Sequence, residues 1–94
     1  MPNEFKTMVS RVIMHRDRRI TVLQRLFDGK LHEEFVQAVM RHIPLDIEIE
    51  KYGSGLYNGG GSAYEGGYTR SGVTFKLKRG EDAPRLRKHF NDML

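Results

Sequence analysis

The sequence predicts a small single-domain α+β protein, residues 1–94, of helix–helix–β-hairpin–helix order, with a long Gly/Tyr-rich hairpin loop or arm inserted over residues 53–71. Three observations predict it. Apolar residues recur at three- and four-residue spacing in three stretches, the period of a helix. They alternate with polar residues in two others, the period of a half-buried strand. Between those two stretches, residues 53–71 hold seven of the ten glycines and three of the four tyrosines, with the fourth, Tyr52, just before them.

The first helical pattern runs through Phe5, Met8, Val9, Val12 and Ile13 and again through Ile20, Leu23, Leu26 and Phe27, with Asn3 as the cap. The polar run His15-Arg16-Asp17-Arg18-Arg19 between them holds no Gly or Pro, so residues 3–28 read as one long helix or as two with a bend. Gly29 is placed to stop it in the left-handed conformation. The second helix carries Leu31, Phe35, Val36, Val39, Met40 and Ile43 on one stripe and ends at Pro44.

The period then changes. Leu45 to Glu50 and Val73 to Lys78 each alternate apolar and charged or polar positions. An antiparallel register with Ile49 opposite Phe75 places Glu48 beside Lys76 and Asp46 beside Lys78, so the pairing is supported on both faces. Gly80 breaks the second strand. Asp82 caps a last helix with Pro84 in its first turn, and Ala83, Leu86, Phe90, Met93 and Leu94 line its inner side.

Composition narrows the function. The values of 38% hydrophobic and 30% charged residues are those of a globular chain. With 94 residues the core is thin, and homodimer formation is one way to cover leftover apolar area. The absence of cysteine excludes disulfides, thiolate metal sites and a thiol nucleophile, and suits a reducing compartment. The apolar runs are too short for a membrane span or a signal-peptide core, so a cytoplasmic protein without membrane association is expected. The formal charge of +4 is uneven: residues 1–30 and 72–94 are basic and residues 31–51 acidic. Such asymmetry points towards a polyanionic partner, or is simply a solvated basic surface.

No catalytic or cofactor motif emerges. Gly59-Gly60-Gly61 leads into a strand without the Gly-Lys-Ser/Thr of a phosphate loop. His15-Arg16-Asp17 stands alone in a chain too short for a kinase. No two of His15, His32, His42 and His89 have the i, i+4 spacing of paired metal ligands, and His42 reads as a partner for helix-terminal carbonyls. Asp46, Glu48 and Glu50 read as strand-pairing charges rather than cation ligands. No cofactor is expected, and an enzyme is the least favoured class.

Two sets of candidate binding residues remain. Arg11, His15, Arg18 and Arg25 share one side of the first helix if it is continuous, with Arg16 and Arg19 flanking them. Tyr52, Tyr57, Tyr64, Tyr68 and Arg70 belong to the Gly/Tyr segment, and Lys76 and Lys78 to the strand after it. If both strands continue outward, they form an arm with its tip near Gly60 to Ala63, with Tyr52, Tyr64 and Tyr68 on the face of Glu48 and Lys76. Otherwise the segment is a loose tether. Tyrosine rings among glycines suit stacking on nucleobases or a contact surface inserted into a protein cleft. The expected function is therefore a non-enzymatic nucleic-acid-binding protein, with a protein-directed adaptor or inhibitor of phage or mobile-element type as the alternative. The helix–helix–hairpin–helix layout resembles that of small bacterial architectural proteins of the HU type, without their prolyl arm tip or three-stranded pattern.

Overall fold

The computed structural model describes residues 4–25, 29–59 and 68–94. Phe5 and Met8, one helical turn apart, are buried on the short helix α1 (Glu4–Met8). Beyond it the chain departs from expectation. Val9–Met14 (β1) and Arg19–Gln24 (β2) are antiparallel strands, so a hairpin stands where the spacing predicts helix. The density of Val, Ile and Thr favours strand here. Helical spacing arises because the register slips between Val9 and Arg11. The extra residue at Ser10 resets the alternation, so Val9 and Val12, three apart, both point into the core. The turn carries no glycine because Asp17 and Arg18 themselves take the left-handed conformation, both at φ 61°.

The remaining elements follow the predicted order: α2 (His32–Arg41), β3 (Ile49–Gly59), β4 (Tyr68–Leu77) and α3 (Asp82–Asn91). The class is α+β, with three helices among the described residues, and the hairpin before the last helix is present. Gly29 has φ 86° as expected, but it precedes α2 rather than closing a helix. Asp82 starts α3 without capping it. Its buried carboxylate is instead held by Arg79 at 3.1 Å and Arg85 at 2.6 Å.

The four strands form one antiparallel sheet in the order β1-β2-β4-β3. The helices cover one side of it, α2 against β4 and α3 against β1 and β2. Ile20, Val22, Val73, Phe75 and Leu77 from the sheet pack there with Phe35, Val39, Leu86 and Phe90 from the helices. Phe5 stacks on Phe90 with ring centres 4.9 Å apart. His42 Nδ1 donates to the Ala38 carbonyl at 2.6 Å and His89 Nε2 to the His42 carbonyl at 2.9 Å, so both histidines close helix ends and loops.

The β3–β4 register also needs correction. Ile49 faces Leu77 rather than Phe75, and a slip at Glu50 places Lys51 opposite Lys76 and Tyr52 opposite Phe75. The expected pairs are shifted accordingly: Glu48 meets Lys78 at 3.4 Å, Glu50 meets Lys76 at 3.9 Å, and Asp46 meets Arg85 at 2.6 Å. Leu45 and Asp46 belong to a turn closed by the Ile47 amide on the Pro44 carbonyl, so Leu45 is exposed rather than in a strand. The strands do continue outward. β2 last pairs at Gly72, while β3 and β4 stay paired out to Gly59 and Tyr68. This leaves a two-stranded arm extending about 13 Å beyond β2 at the usual rise per strand residue. The expected tip near Gly60 to Ala63 lies outside the described residues, as does Asn3.

Candidate functional site

Cross-strand partners lie on the same side of a sheet, so the register assigns each residue its face. The side away from the helices carries Arg11 and Ile13 from β1, and Arg19, Thr21 and Leu23 from β2. From β4 it carries Arg70, Gly72, Thr74 and Lys76, and from β3 Lys51, Gly53, Gly55 and Tyr57. Five of these residues are Lys or Arg, and none is acidic.

A polar chain crosses the middle of this face. His15 Nε2 lies 2.7 Å from the Thr21 hydroxyl, which lies 2.7 Å from the Thr74 hydroxyl, which lies 3.4 Å from the Tyr57 hydroxyl. Read from Tyr57, each hydroxyl can donate to the next and the imidazole accepts last; the reverse order is equally consistent. The Tyr57 ring lies against Gly72. A Cβ there would stand 2.4 and 2.6 Å from two ring carbons and 3.1 Å from Leu23, so only glycine leaves the ring in place. Tyr57 remains 40% exposed, enough for another flat group to stack on it.

At one end of the face the turn after β1 delivers Asp17, whose carboxylate lies 3.1 Å from Lys76 and 3.2 Å from Arg19. The hydrogen bond from Lys76, aided by its charge and those of Arg19 and Arg18, holds Asp17 below the usual aspartate range. Beside it a cleft of about 290 Å³ is lined by Arg19, Lys51, Tyr52, Gly53, Thr74 and Lys76. At the other end Arg70 reaches over β2 to donate to Ser10 at 3.2 Å. Its buried Nε has no hydrogen-bond partner among the described residues.

The predicted site residues are thus redistributed. Arg11, Arg19, Tyr57, Arg70 and Lys76 come together on the open face, with His15 at its margin. The single helical stripe does not exist. Arg16 is exposed in the turn, Arg18 donates to the Lys78 carbonyl at 3.0 Å, and Arg25 donates to the Val9 carbonyl at 3.3 Å. Lys78 lies past β4 with Glu48. Tyr52 faces the helix side, its ring 6.2 Å from Phe75, because the slip at Glu50 inverts the alternation. Tyr64 and the Tyr68 side chain lie outside the described residues.

Several contributors escape sequence reasoning. Lys51, Thr21, Thr74 and Gly72 lack any motif, and only the polar half of the strand alternation marks Thr74. On the helix side, His32 bridges two serines, Ser71 at 2.8 Å and Ser54 at 3.1 Å, fastening the start of α2 to the hairpin. Among the described residues no His, Cys, Asp and Glu cluster is suited to a metal ion, and no helix is long and apolar enough to cross a membrane. Neither the models of known families, nor the curated proteins, nor the solved structures contain a match to this chain.

Proposed function

We propose that the protein binds single-stranded nucleic acid across the open face of its sheet. The observation that carries this reading is the company Tyr57 keeps: an accessible ring, seated on Gly72, among Arg11, Arg19, Lys51, Arg70 and Lys76, which outnumber the two acids, Asp17 and Glu50, that reach Lys76. Single strands are held by this combination, because their bases can splay out and stack on aromatic rings while cations follow the phosphates. Thr21 and Thr74 supply hydroxyls between the two kinds of contact.

The test is binding of labelled single- and double-stranded DNA and RNA, followed by fluorescence anisotropy at low and moderate salt. Single strands should bind more tightly, and log K should fall with log salt with a slope of about −2 to −3, as for three or four contacted phosphates. Tyr57→Ser should weaken binding by about 1–3 kcal/mol, the usual value of a stacked base. Absence of binding at low salt ends this reading. The second reading, a protein-directed adaptor or inhibitor, is favoured by a different observation. Leu31 and Leu56 are 71% and 65% exposed, one beside His32 and the other two positions along β3 from Ser54, which His32 binds.

A further inference from the structure

We infer that the cleft at the turn end of the open face is a seat for the terminal phosphate monoester of a bound strand; this rests on the single-strand reading above. Arg19 faces Lys76 across β2 and β4, and Lys76 faces Lys51 across β4 and β3. Three cations therefore stand in one row on adjacent strands, about 10 Å from end to end at the usual strand separation. Like charges directly opposite each other oppose strand pairing. Asp17 relieves only one half of the row, lying between Arg19 and Lys76. Glu50 approaches Lys76 from the slipped position, at 3.9 Å. Lys51 has no ion-pair partner among the described residues, so on its Lys51 side the gap between Lys51 and Lys76 is not neutralised.

That gap has a floor and room. The next cross-strand pair on the same face is Gly53 opposite Thr74. Nothing lies within 4 Å of where a Gly53 side chain would begin, and Thr74 presents a hydroxyl. An anion there meets two ammonium groups and a guanidinium.

Charge selects the kind of phosphate. Around the cleft Arg18, Arg19, Lys51 and Lys76 stand against Asp17 and Glu50, a local excess of two positive charges. A phosphate monoester carries about −1.5 to −2 at neutral pH and offers three acceptor oxygens, whereas an internal diester carries a single charge. The cleft also lies at one end of the face. From Gly53 to Tyr57 is about 13 Å along β3, so a strand anchored by its end can run across the threonine pair to the tyrosine ring.

The experiment compares a short oligothymidylate bearing a 5′-phosphate, a 3′-phosphate or neither, by anisotropy on the full chain. One phosphorylated end should bind about tenfold more tightly than the unphosphorylated strand. The advantage should grow as pH rises through the second phosphate ionisation near about 6. Lys51→Gln, at an exposed position without an ion-pair partner among the described residues, should weaken the phosphorylated strand more than the unphosphorylated one, so that the advantage shrinks. Equal binding of all three strands, with Lys51→Gln affecting them alike, overturns the phosphate seat but leaves the single-strand reading standing. If no strand binds, that reading falls, and titration with thymidine monophosphate decides the cleft. Shifts of the Lys51, Gly53 and Thr74 amide resonances uphold an anion seat, and their absence overturns it.

Discussion

Asp17 shows how one residue can serve the fold and limit the site. Its left-handed backbone closes the β1–β2 turn, and its carboxylate occupies part of a basic row that would otherwise be open to a ligand. Asn tolerates the same backbone conformation without the charge. Asp17→Asn should therefore leave the thermal midpoint within a few degrees, since exposed ion pairs contribute little. Affinity for phosphorylated strands should rise about two- to fivefold, as expected for removing one exposed like-charged group. Unchanged or weaker affinity would show that Asp17 orders the cations rather than competing with the ligand. Gly72 makes the complementary case. In Gly72→Ala the new methyl evicts the Tyr57 ring, while Ala orders a strand more readily than Gly. These effects offset each other in stability, so melting should move by only a few degrees. Single-strand affinity should fall as far as in Tyr57→Ser, and retention of full affinity would remove the ring from the binding surface. Neither role was legible in the sequence, where Asp17 sits in a charged run and Gly72 resembles the tail of a glycine-rich segment.

At the level of elements, α2 and α3 were legible because each keeps an uninterrupted helical period, and β4 because its alternation from Val73 to Leu77 is unbroken. The β1–β2 hairpin was not, for the reasons already visible at Ser10 and at the glycine-free turn. The slip at Glu50 had the same effect on Tyr52: alternation is a sound guide only until an extra residue enters the ladder. Ion pairs then tie these elements together. Glu4 of α1 meets Lys30 at 3.4 Å and Arg41 of α2 at 3.1 Å; burial pushes its carboxyl up, but the hydrogen bonds and charges of Lys30 and Arg41 outweigh this and leave it lowered. Asp46 is lowered chiefly by its hydrogen bond from Arg85 of α3, and Asp17 by that from Lys76. A carboxyl lowered in the folded state contributes stability above its unfolded value, and that contribution disappears as pH falls through the folded value. Urea midpoints should therefore hold steady down to the ordinary values of 4.5 for Glu4 and 3.8 for the two aspartates, then decline below them. Asp46→Asn should make that decline shallower. A curve of unchanged steepness would exclude the Asp46–Arg85 contact as a contributor.

For the whole molecule, the sheet rather than a helix gathers the basic residues. The sequence shows that the two ends of the chain are basic; the order β1-β2-β4-β3 brings strands from both ends side by side and sends the acidic stretch of residues 31–51 largely into α2 and the turn after it. Lys51, at the boundary of that acidic stretch, becomes part of the basic face only through this topology. A register error of one residue would have placed it on the helix side. That is why the candidate residues could be named individually while the surface they share could not.

The cation row on β2, β4 and β3 has a consequence for handling the protein. A fold that holds like charges at strand spacing is itself an anion sensor, because any ion settling between Lys51 and Lys76 adds its binding free energy to the native state alone. Melting temperature should be higher in phosphate than in chloride at matched ionic strength and pH, and the difference should shrink in Lys51→Gln. Choice of buffer would thus change apparent stability and apparent affinity in opposite directions, the salt that preserves the protein in storage competing with its ligand in the assay.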